Sequence, residues 1–148
     1  MFAALDWLQM TDSNRERKEI FFDGFSDDEI LGLPAEQIEA LVVNGQPMVF
    51  RAGSATVLGE FRRDKDRLVV ELAQIEGGGE GVLVSLGSLL QRYTRLQRIE
   101  TVEWIVHAVT YATPNLKLRR VLDRRGFTVR DVQGIGQAYY YLDSNVGH

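Results

Sequence analysis

A glycine-rich segment near the middle of the chain limits the fold more than any other feature of the sequence. Residues 77–81 read Gly-Gly-Gly-Glu-Gly. The apolar, β-branched run from Leu68 to Ile75 precedes them and is typical of a strand. After them, apolar residues recur at helical spacing from Leu83 to Leu96. The order of strand, glycine turn and amphipathic helix predicts a βα unit at this point of the chain.

The glycine turn also has a chemical meaning. Glycines let the backbone approach a ligand closely, and the first N–H groups of the following helix have no intrahelical partners. Together with the helix dipole, those groups suit a phosphate or pyrophosphate. The alternative is a flexible loop that only connects the two elements. The segment is not a Walker loop, because no Gly-Lys-Ser/Thr follows it, and it lacks the acidic second strand of a Rossmann unit.

The residues after this unit predict further strands and one more helix. Val102 to Val109 reads as a strand, and Asn115 to Arg125 reads as a helix that ends at Gly126. Phe127 begins another strand, and Ala138 to Leu142 is the closing strand.

Ahead of the glycine turn, we expect residues 1–45 to be helical and antiparallel strands to follow. Ser26 begins a capping-box pattern with Glu29. The expected strands are Met48–Phe50, Thr56–Phe61 and Leu68–Ile75, with a charged turn over residues 62–67. The predicted fold class is therefore α/β (α+β) with a mixed sheet, in a single domain over residues 1–148.

Composition excludes several classes of functional site. The 148 residues are 45% hydrophobic and 26% charged, as in an ordinary soluble globule. The absence of cysteine excludes disulfides, thiolate metal sites and cysteine nucleophiles, and His107 and His148 are too few for a multi-histidine metal site. No apolar run approaches the ~20 residues of a membrane span, and the first residues lack the basic start of a signal peptide. We therefore expect a cytoplasmic protein with neither a metal ion nor a membrane partner.

Charge is distributed unevenly along the chain. The net charge of −4 combines −8 over residues 1–80 with +4 over residues 81–148. This asymmetry either favours an anion on the C-terminal part or lets the two halves attract each other. The overall acidity argues against general duplex binding, so nucleic acid is not an expected partner.

Short motifs around the glycine turn occur in an order that resembles one known family. Residues 74–79 read Gln-Ile-Glu-Gly-Gly-Gly and fit the signature Gln/Arg-x-x-Gly-x-Gly/Ala. A second register over residues 76–81 aligns the helix better but begins with glutamate. A leucine-rich helix, a strand, Asn115 at the head of another helix and a Gly-Phe pair at its end follow. From Glu71 to Asp143, the chain resembles the C-terminal half of a GCN5-related N-acetyltransferase (GNAT) domain.

The resemblance implies a GNAT-like fold with an acyl-CoA site. Such a fold has a mixed, mostly antiparallel central sheet flanked by helices, with two strands that splay at a cofactor cleft. Residues 46–148 would form the sheet and cofactor-binding part, and residues 1–45 the N-terminal helical part. The implied cofactor contacts are the backbone of Leu72, Ala73 and Gln74 for the pantetheine arm, the amides of Gly77, Gly79, Gly81 and Val82 for the pyrophosphate, and Asn115 for the cofactor arm or the splayed strands.

The implied reaction is direct transfer of the acetyl group from acetyl-CoA, which is a substrate, to an amine. It needs a base for the amine proton and an acid for the thiolate. The candidates are Glu71, Glu103, His107 and Tyr111, with Tyr139 as a further acid.

Each of these candidates also has an ordinary structural explanation. A glutamate in a strand commonly faces solvent, and a lone histidine in a strand is commonly packed. The family often has an acid tyrosine four residues before the glycine of its Gly-Phe pair, whereas this chain has Leu122 there. The strand that usually precedes the family's first helix is not evident either.

Three functions remain open from the sequence. The first is an N-acyltransferase that moves an acetyl group from acetyl-CoA to an unidentified amine acceptor, a small molecule or a protein. The second is a non-catalytic module of the same fold, phage or mobile-element borne, that binds a protein partner or only the cofactor. The third is an interaction protein in which the glycines form a loop. A homodimer is compatible with each of them.

Overall fold

The computed structural model describes residues 20–22, 24–53, 55–76, 80–107 and 116–144. The strands are β1 (Ile20–Phe22), β2 (Phe25–Ser26), β3 (Met48–Ala52), β4 (Ala55–Asp64), β5 (Arg67–Glu76), β6 (Thr101–Val106), β7 (Thr128–Val132) and β8 (Gly136–Asp143). The helices are α1 (Asp27–Leu31), α2 (Ala35–Leu41), α3 (Glu80–Gln97) and α4 (Leu116–Arg124).

The eight described strands form one sheet in the order β2-β1-β3-β4-β5-β6-β8-β7. Neighbouring strands are antiparallel except β5 and β6, which are parallel and are joined through α3. A parallel pair needs a crossover connection, and the helix supplies it. The predicted class is confirmed at this level: the fold is mixed α+β, with a large, open, mostly antiparallel sheet and a few helices.

One face of the sheet carries the hydrophobic core. The rings of Phe22, Phe50 and Phe61 come from three neighbouring strands and pack with their centroids 5.0–6.0 Å apart. All four described helices contribute to the same core, through residues that include Ile30, Ile38, Leu86 and Leu122. Burial of this continuous apolar surface is the main force that holds the helices on the sheet.

The opposite face of the sheet carries the polar side chains that alternate with the core positions. We call it the second face, and its central members are Glu60, Arg62, Val69, Glu71, Glu103, Ile105, Ala138 and Tyr140. Val69, Ile105 and Ala138 form a small apolar cluster there, separate from the main core. The apolar strip divides the polar residues of this face into two groups.

The β4–β5 hairpin is longer than the sequence predicts. The expected charged turn over residues 62–67 is wrong, because Arg62 and Arg63 both pair with residues of β5. Only Lys65 and Asp66 form the turn, with Lys65 at a φ of 59°. Cross-strand pairing continues the ladder through the charged residues. Arg62 therefore lies in a strand and on the second face.

A β-bulge interrupts β5 at Ala73. The residues on either side of Ala73 pair with the consecutive residues Leu58 and Gly59 of β4, so Ala73 is the extra residue. An extra residue shifts the alternation of a strand by one position. This shift explains why Leu72 and Ile75, three residues apart, both reach the main core.

The N-terminal region differs in part from the helical expectation for residues 1–45. Residues 20–22 and 25–26 form β1 and β2, which extend the sheet beyond β3. Backbone pairing with β3 and the burial of Phe22 favour the strand at these residues more than the local sequence pattern favours a helix. Residues 1–19 lie outside the described part of the chain.

The predicted capping box at the start of α1 is confirmed. The Ser26 hydroxyl accepts a hydrogen bond from the Glu29 backbone, and the Glu29 carboxylate accepts one from the Ser26 backbone. Arg92 of α3 donates to Asp27 at 3.1 Å and to Asp28 at 2.8 Å. These ion pairs fix the first turn of α1 against α3.

The elements after the glycine turn lie close to their predicted positions. The helix predicted between Asn115 and Arg125 is α4, and the strand predicted from Phe127 is β7. The strand predicted from Val102 to Val109 is β6, of which Val106 is the last described strand residue. Periodic burial made these elements predictable, whereas their end residues depend on contacts with other strands.

Candidate active site

The parallel pair β5/β6 stops before β5 ends. The paired residues run from Arg67 with Thr101 to Leu72 with Val106, and the His107 N–H donates to the Leu72 carbonyl at 2.8 Å. β5 continues for four residues beyond Leu72, as far as residue 76. Within the described residues, no strand pairs with the β6 side of residues 73–76. Among the described residues, the backbone edge of this segment on the β6 side therefore has no strand partner.

A hydrogen-bonded dyad lies at the last paired position of β5 and β6. The Glu71 Oε2 and His107 Nε2 atoms are 2.7 Å apart, and each side chain is 20% exposed. Glu71 is one residue before the last pair of β5, and His107 is the first residue after β6. The dyad joins the two strands at their last hydrogen-bonded position and remains accessible from the second face.

Arg62 completes a four-residue cluster with this dyad. Glu60 of β4 lies directly opposite Glu71 in the antiparallel ladder. Arg62 Nη1 donates to Glu71 Oε1 at 3.0 Å and also donates to Glu60 Oε2. Both oxygens of Glu71 therefore accept a hydrogen bond, one from Arg62 and one from His107.

The environment keeps Glu71 ionised. Burial favours the neutral carboxyl, but the hydrogen bonds from His107 and Arg62 and the charge of Arg62 outweigh burial and lower the pKa of Glu71. Burial likewise opposes the charged form of Arg62, but its hydrogen bonds to Glu71 and Glu60 outweigh that effect and raise its pKa. A carboxylate held in this way orients a neighbouring imidazole better than it accepts a substrate proton.

A second polar cluster lies on the same face, apart from the dyad. The Tyr140 hydroxyl donates to Glu103 at 2.7 Å, and Arg67 lies 3.6 Å from Glu103. The Arg130 guanidinium lies 4.6 Å from the centre of the Tyr140 ring. None of these partners belongs to the dyad, because Glu71 bonds to Arg62 and His107 instead. The structure therefore does not bring Glu103 together with the dyad.

The predicted cofactor residues are described only in part. The Leu72 backbone lies at the last position of the parallel pair, Ala73 is the bulge residue, and Gln74 follows in β5. Gly81 and Val82 lie in the first turn of α3, where the Val82 side chain is buried in the core. The remaining calls fall outside the described residues: Gly77, Gly79, Asn115 and the candidate acid Tyr111.

Two positions considered for the acid are closed to solvent. Leu122 is fully buried in the core on α4. Tyr139 is buried on the core face of β8, and burial, with a smaller contribution from Asp123, raises the pKa of its hydroxyl. Within the described part of the chain, neither residue presents a proton donor to the dyad on the second face.

Comparison with known proteins does not identify the chain. The sequence matches no protein-family model, and it has no match among curated proteins or solved structures. None of the described helices is both long and apolar enough to cross a membrane. The described residues also contain no group of three or more His, Asp or Glu side chains arranged to hold a metal ion.

Sequence reasoning missed Glu60, Arg62 and Tyr140. Arg62 was assigned to a turn, although the alternation of β4 from Ala55 to Phe61 extends to it and could have placed it on a strand. Glu60 gives no signal of its own, because its role depends on the residue opposite it on β5. Tyr140 gives no local signal either, because its hydrogen bond to Glu103 joins residues 37 positions apart.

Proposed function

We propose that this protein is an N-acetyltransferase of the GNAT type, which moves an acetyl group from acetyl-CoA to an amine. The observation that carries the proposal is the early end of the β5/β6 pairing. Among the described residues, β5 continues past Leu72 without a strand partner on its β6 side, and the pair of Glu71 and His107 lies at the last paired position. An extended thioester arm can pair with an unpaired strand edge as an additional strand would.

The arrangement of elements supports the proposal. The resemblance requires splayed strands at a cofactor cleft, a glycine signature at a strand end and a helix directly after it. Among the described strands, only β5 and β6 are parallel, and α3 connects them. The three glycines at residues 77–79 lie between β5 and α3 in the sequence. The resemblance also calls for a strand before the first helix of the fold, and β1 precedes α1 among the described residues.

The proposed reaction balances without a cofactor beyond acetyl-CoA. The lone pair of the neutral amine attacks the thioester carbonyl carbon, and a C–N bond forms. The C–S bond breaks, and its electron pair leaves with sulfur as the CoA thiolate. One proton leaves the amine nitrogen and one proton reaches the thiolate, so a general base and a proton source complete the reaction.

Calorimetric titration with acetyl-CoA tests the cofactor site, with free CoA as the comparison. We expect micromolar binding, which is about −8 kcal/mol. Gly79→Trp should abolish this binding if the glycine segment receives the pyrophosphate, and the control Gly32→Ala, on the exposed end of α1, should bind normally. Undetectable binding at millimolar acetyl-CoA would contradict the proposal.

Turnover is measured through the release of the CoA thiol. The chain contains no cysteine, so a thiol reagent reports free CoA without a background from the protein. Small amines, polyamines and lysine-containing peptides are tested in turn as acceptors. Steady release that depends on one acceptor class identifies that class.

Leu122 supports a second candidate function, a non-catalytic module of the same fold. A buried leucine stands at the position where the family often has its acid tyrosine. Such a module would bind acetyl-CoA or a protein partner without transferring the acetyl group. Tight acetyl-CoA binding without thiol release for any acceptor would favour this candidate over the enzyme.

A further inference from the structure

We infer that His107 is the general base of the proposed acetyl transfer and that Glu71, held by Arg62, is the residue that positions it. The inference rests on the proposed function and names the roles within its site. It differs from the expectation that Glu71 or Glu103 accepts the proton directly.

The hydrogen bonds of Glu71 argue against its acting as the base. Oε1 accepts from Arg62 at 3.0 Å, and Oε2 lies 2.7 Å from His107 Nε2. A substrate amine that used Glu71 would have to displace one of these partners. The charge of Arg62 also makes protonation of the carboxylate less favourable.

The same contacts prepare His107 to accept a proton. When Nε2 carries the hydrogen that is shared with Glu71, the neutral ring has its lone pair on Nδ1. Nδ1 takes the amine proton as the C–N bond forms, and the carboxylate of Glu71 stabilises the resulting imidazolium. The proton on His107 then passes to the departing thiolate, directly or through water, which restores the neutral ring.

Arg62 gives Glu71 its orientation. Glu60 and Glu71 face each other across the β4–β5 ladder, and like charges in directly opposed positions destabilise a sheet. Arg62 lies between them and bonds to both. Without the guanidinium, repulsion from Glu60 would turn the Glu71 carboxylate or favour its protonation, and either change would weaken the hold on the imidazole.

The first test is the tautomer of His107 in the free, full-length protein. Only His107 and His148 are present, so His148→Gln leaves a single imidazole for nitrogen NMR. We expect the neutral ring to carry its proton on Nε2. Glu71→Gln should mix the two tautomers, because an amide can donate or accept, while the control Arg63→Gln should not change them. A neutral ring protonated on Nδ1 would overturn the inference.

The second test compares the kinetics of four single variants with the natural chain. His107→Gln should lower kcat by about 100-fold or more, as expected for loss of a general base. Glu71→Gln should lower kcat by about 10-fold and Arg62→Gln by less, each with an unchanged KM for acetyl-CoA. Arg63→Gln, which removes a charge on the opposite face, should retain full activity.

The order of the losses distinguishes the two roles. A larger loss in Glu71→Gln than in His107→Gln would make Glu71 the base and overturn the inference. A protein that does not bind acetyl-CoA would instead contradict the proposed function, and an intact Nε2 tautomer in that protein would show that the dyad is structural. Failure of the inference and failure of the proposed function therefore give different results.

Discussion

Glu60 and Glu71 occupy directly opposed positions on neighbouring antiparallel strands, and a single guanidinium, that of Arg62, bonds to both carboxylates. Two glutamates in this arrangement would repel each other if nothing lay between them. Glu71 is nevertheless half-buried. Its burial is tolerated because Arg62 and His107 each bond to one of its carboxylate oxygens. The cluster has both a structural and a chemical role. Substitution of its members one at a time can distinguish the two roles.

Arg62→Gln should destabilise the fold by about 1 kcal/mol, because it leaves two opposed carboxylates without their shared cation. Adding Glu60→Gln to Arg62→Gln should restore part of that loss, since it removes the repulsion. Urea denaturation near neutral pH measures the natural chain and both variants, with Arg51→Gln, at an exposed position of β3, as the control. A double variant no more stable than Arg62→Gln alone would show that repulsion is not the cause.

Glu71 should make stability depend on pH in the acidic range. Its pKa is below the ordinary value of 4.5, so its contribution is fully present above that value and is lost as the pH falls through the lowered pKa. As the pH falls from 4.5 through the lowered pKa, the free energy of unfolding of Glu71→Gln should therefore fall less than that of the natural chain. His107→Ala should move the loss to higher pH, because it removes one hydrogen bond that lowers the pKa of Glu71. Identical urea midpoints at each pH for the natural chain and Glu71→Gln would contradict the assignment.

Substitution of Gly59 by a larger residue should destabilise the protein. A Cβ at this position would lie 3.1 Å from side-chain atoms of Leu72 and Phe50 and 3.3 Å from the Glu71 carbonyl. Gly59→Val should destabilise the protein by about 2 kcal/mol through overpacking, as measured by thermal or urea unfolding. The control Gly32→Ala has only ordinary contacts of 3.6 Å and should leave stability nearly unchanged. Equal stability of the two variants would contradict the close approach.

Glu103 and Tyr140 should prove structural. Tyr140→Phe removes the hydrogen bond to Glu103 and should cost about 1 kcal/mol of unfolding free energy. Both Tyr140→Phe and Glu103→Gln should retain the kcat for acetyl transfer, because their cluster lies away from the dyad. Thiol-release kinetics of the two variants provide the measurement. A large fall in kcat for Glu103→Gln alone would contradict this prediction and indicate that Glu103 is the general base.

Local periodicity made the central βα unit predictable from the sequence. The change from strand-like to helical spacing around residues 77–79 placed β5 and α3, and the pattern of Ser26 and Glu29 placed the start of α1. Each of these signals depends on residues within one or two turns of chain. The pairing of β1 with β3, by contrast, depends on partners about thirty residues away, and no local pattern specifies it.

The site was predictable in its residue types but not in its connections. Glu71 and His107 were each candidates, but they are 36 residues apart, and only the parallel register of β5 and β6 brings them together. Arg62 enters the site because the hairpin ladder continues through residues that look like a turn. Long-range register decided both contacts, and a single sequence does not encode register locally.

The bulge at Ala73 makes the pairing of β5 with β4 more important than the identity of the residue at that point. If Ala73 joined a regular ladder instead of standing out as the extra residue, the alternation would run without interruption from Leu72, and Ile75 would turn away from the core. A substitution at Ala73 keeps the bulge and leaves Leu72 and Ile75 in the core. Deletion of Ala73 would also keep Leu72 opposite Gly59 and Ile75 opposite Val57, but it would remove the local bend of the strand beside Glu71. Related sequences should therefore vary in residue type at position 73, and a relative that lacks this residue should still bury its counterpart of Ile75.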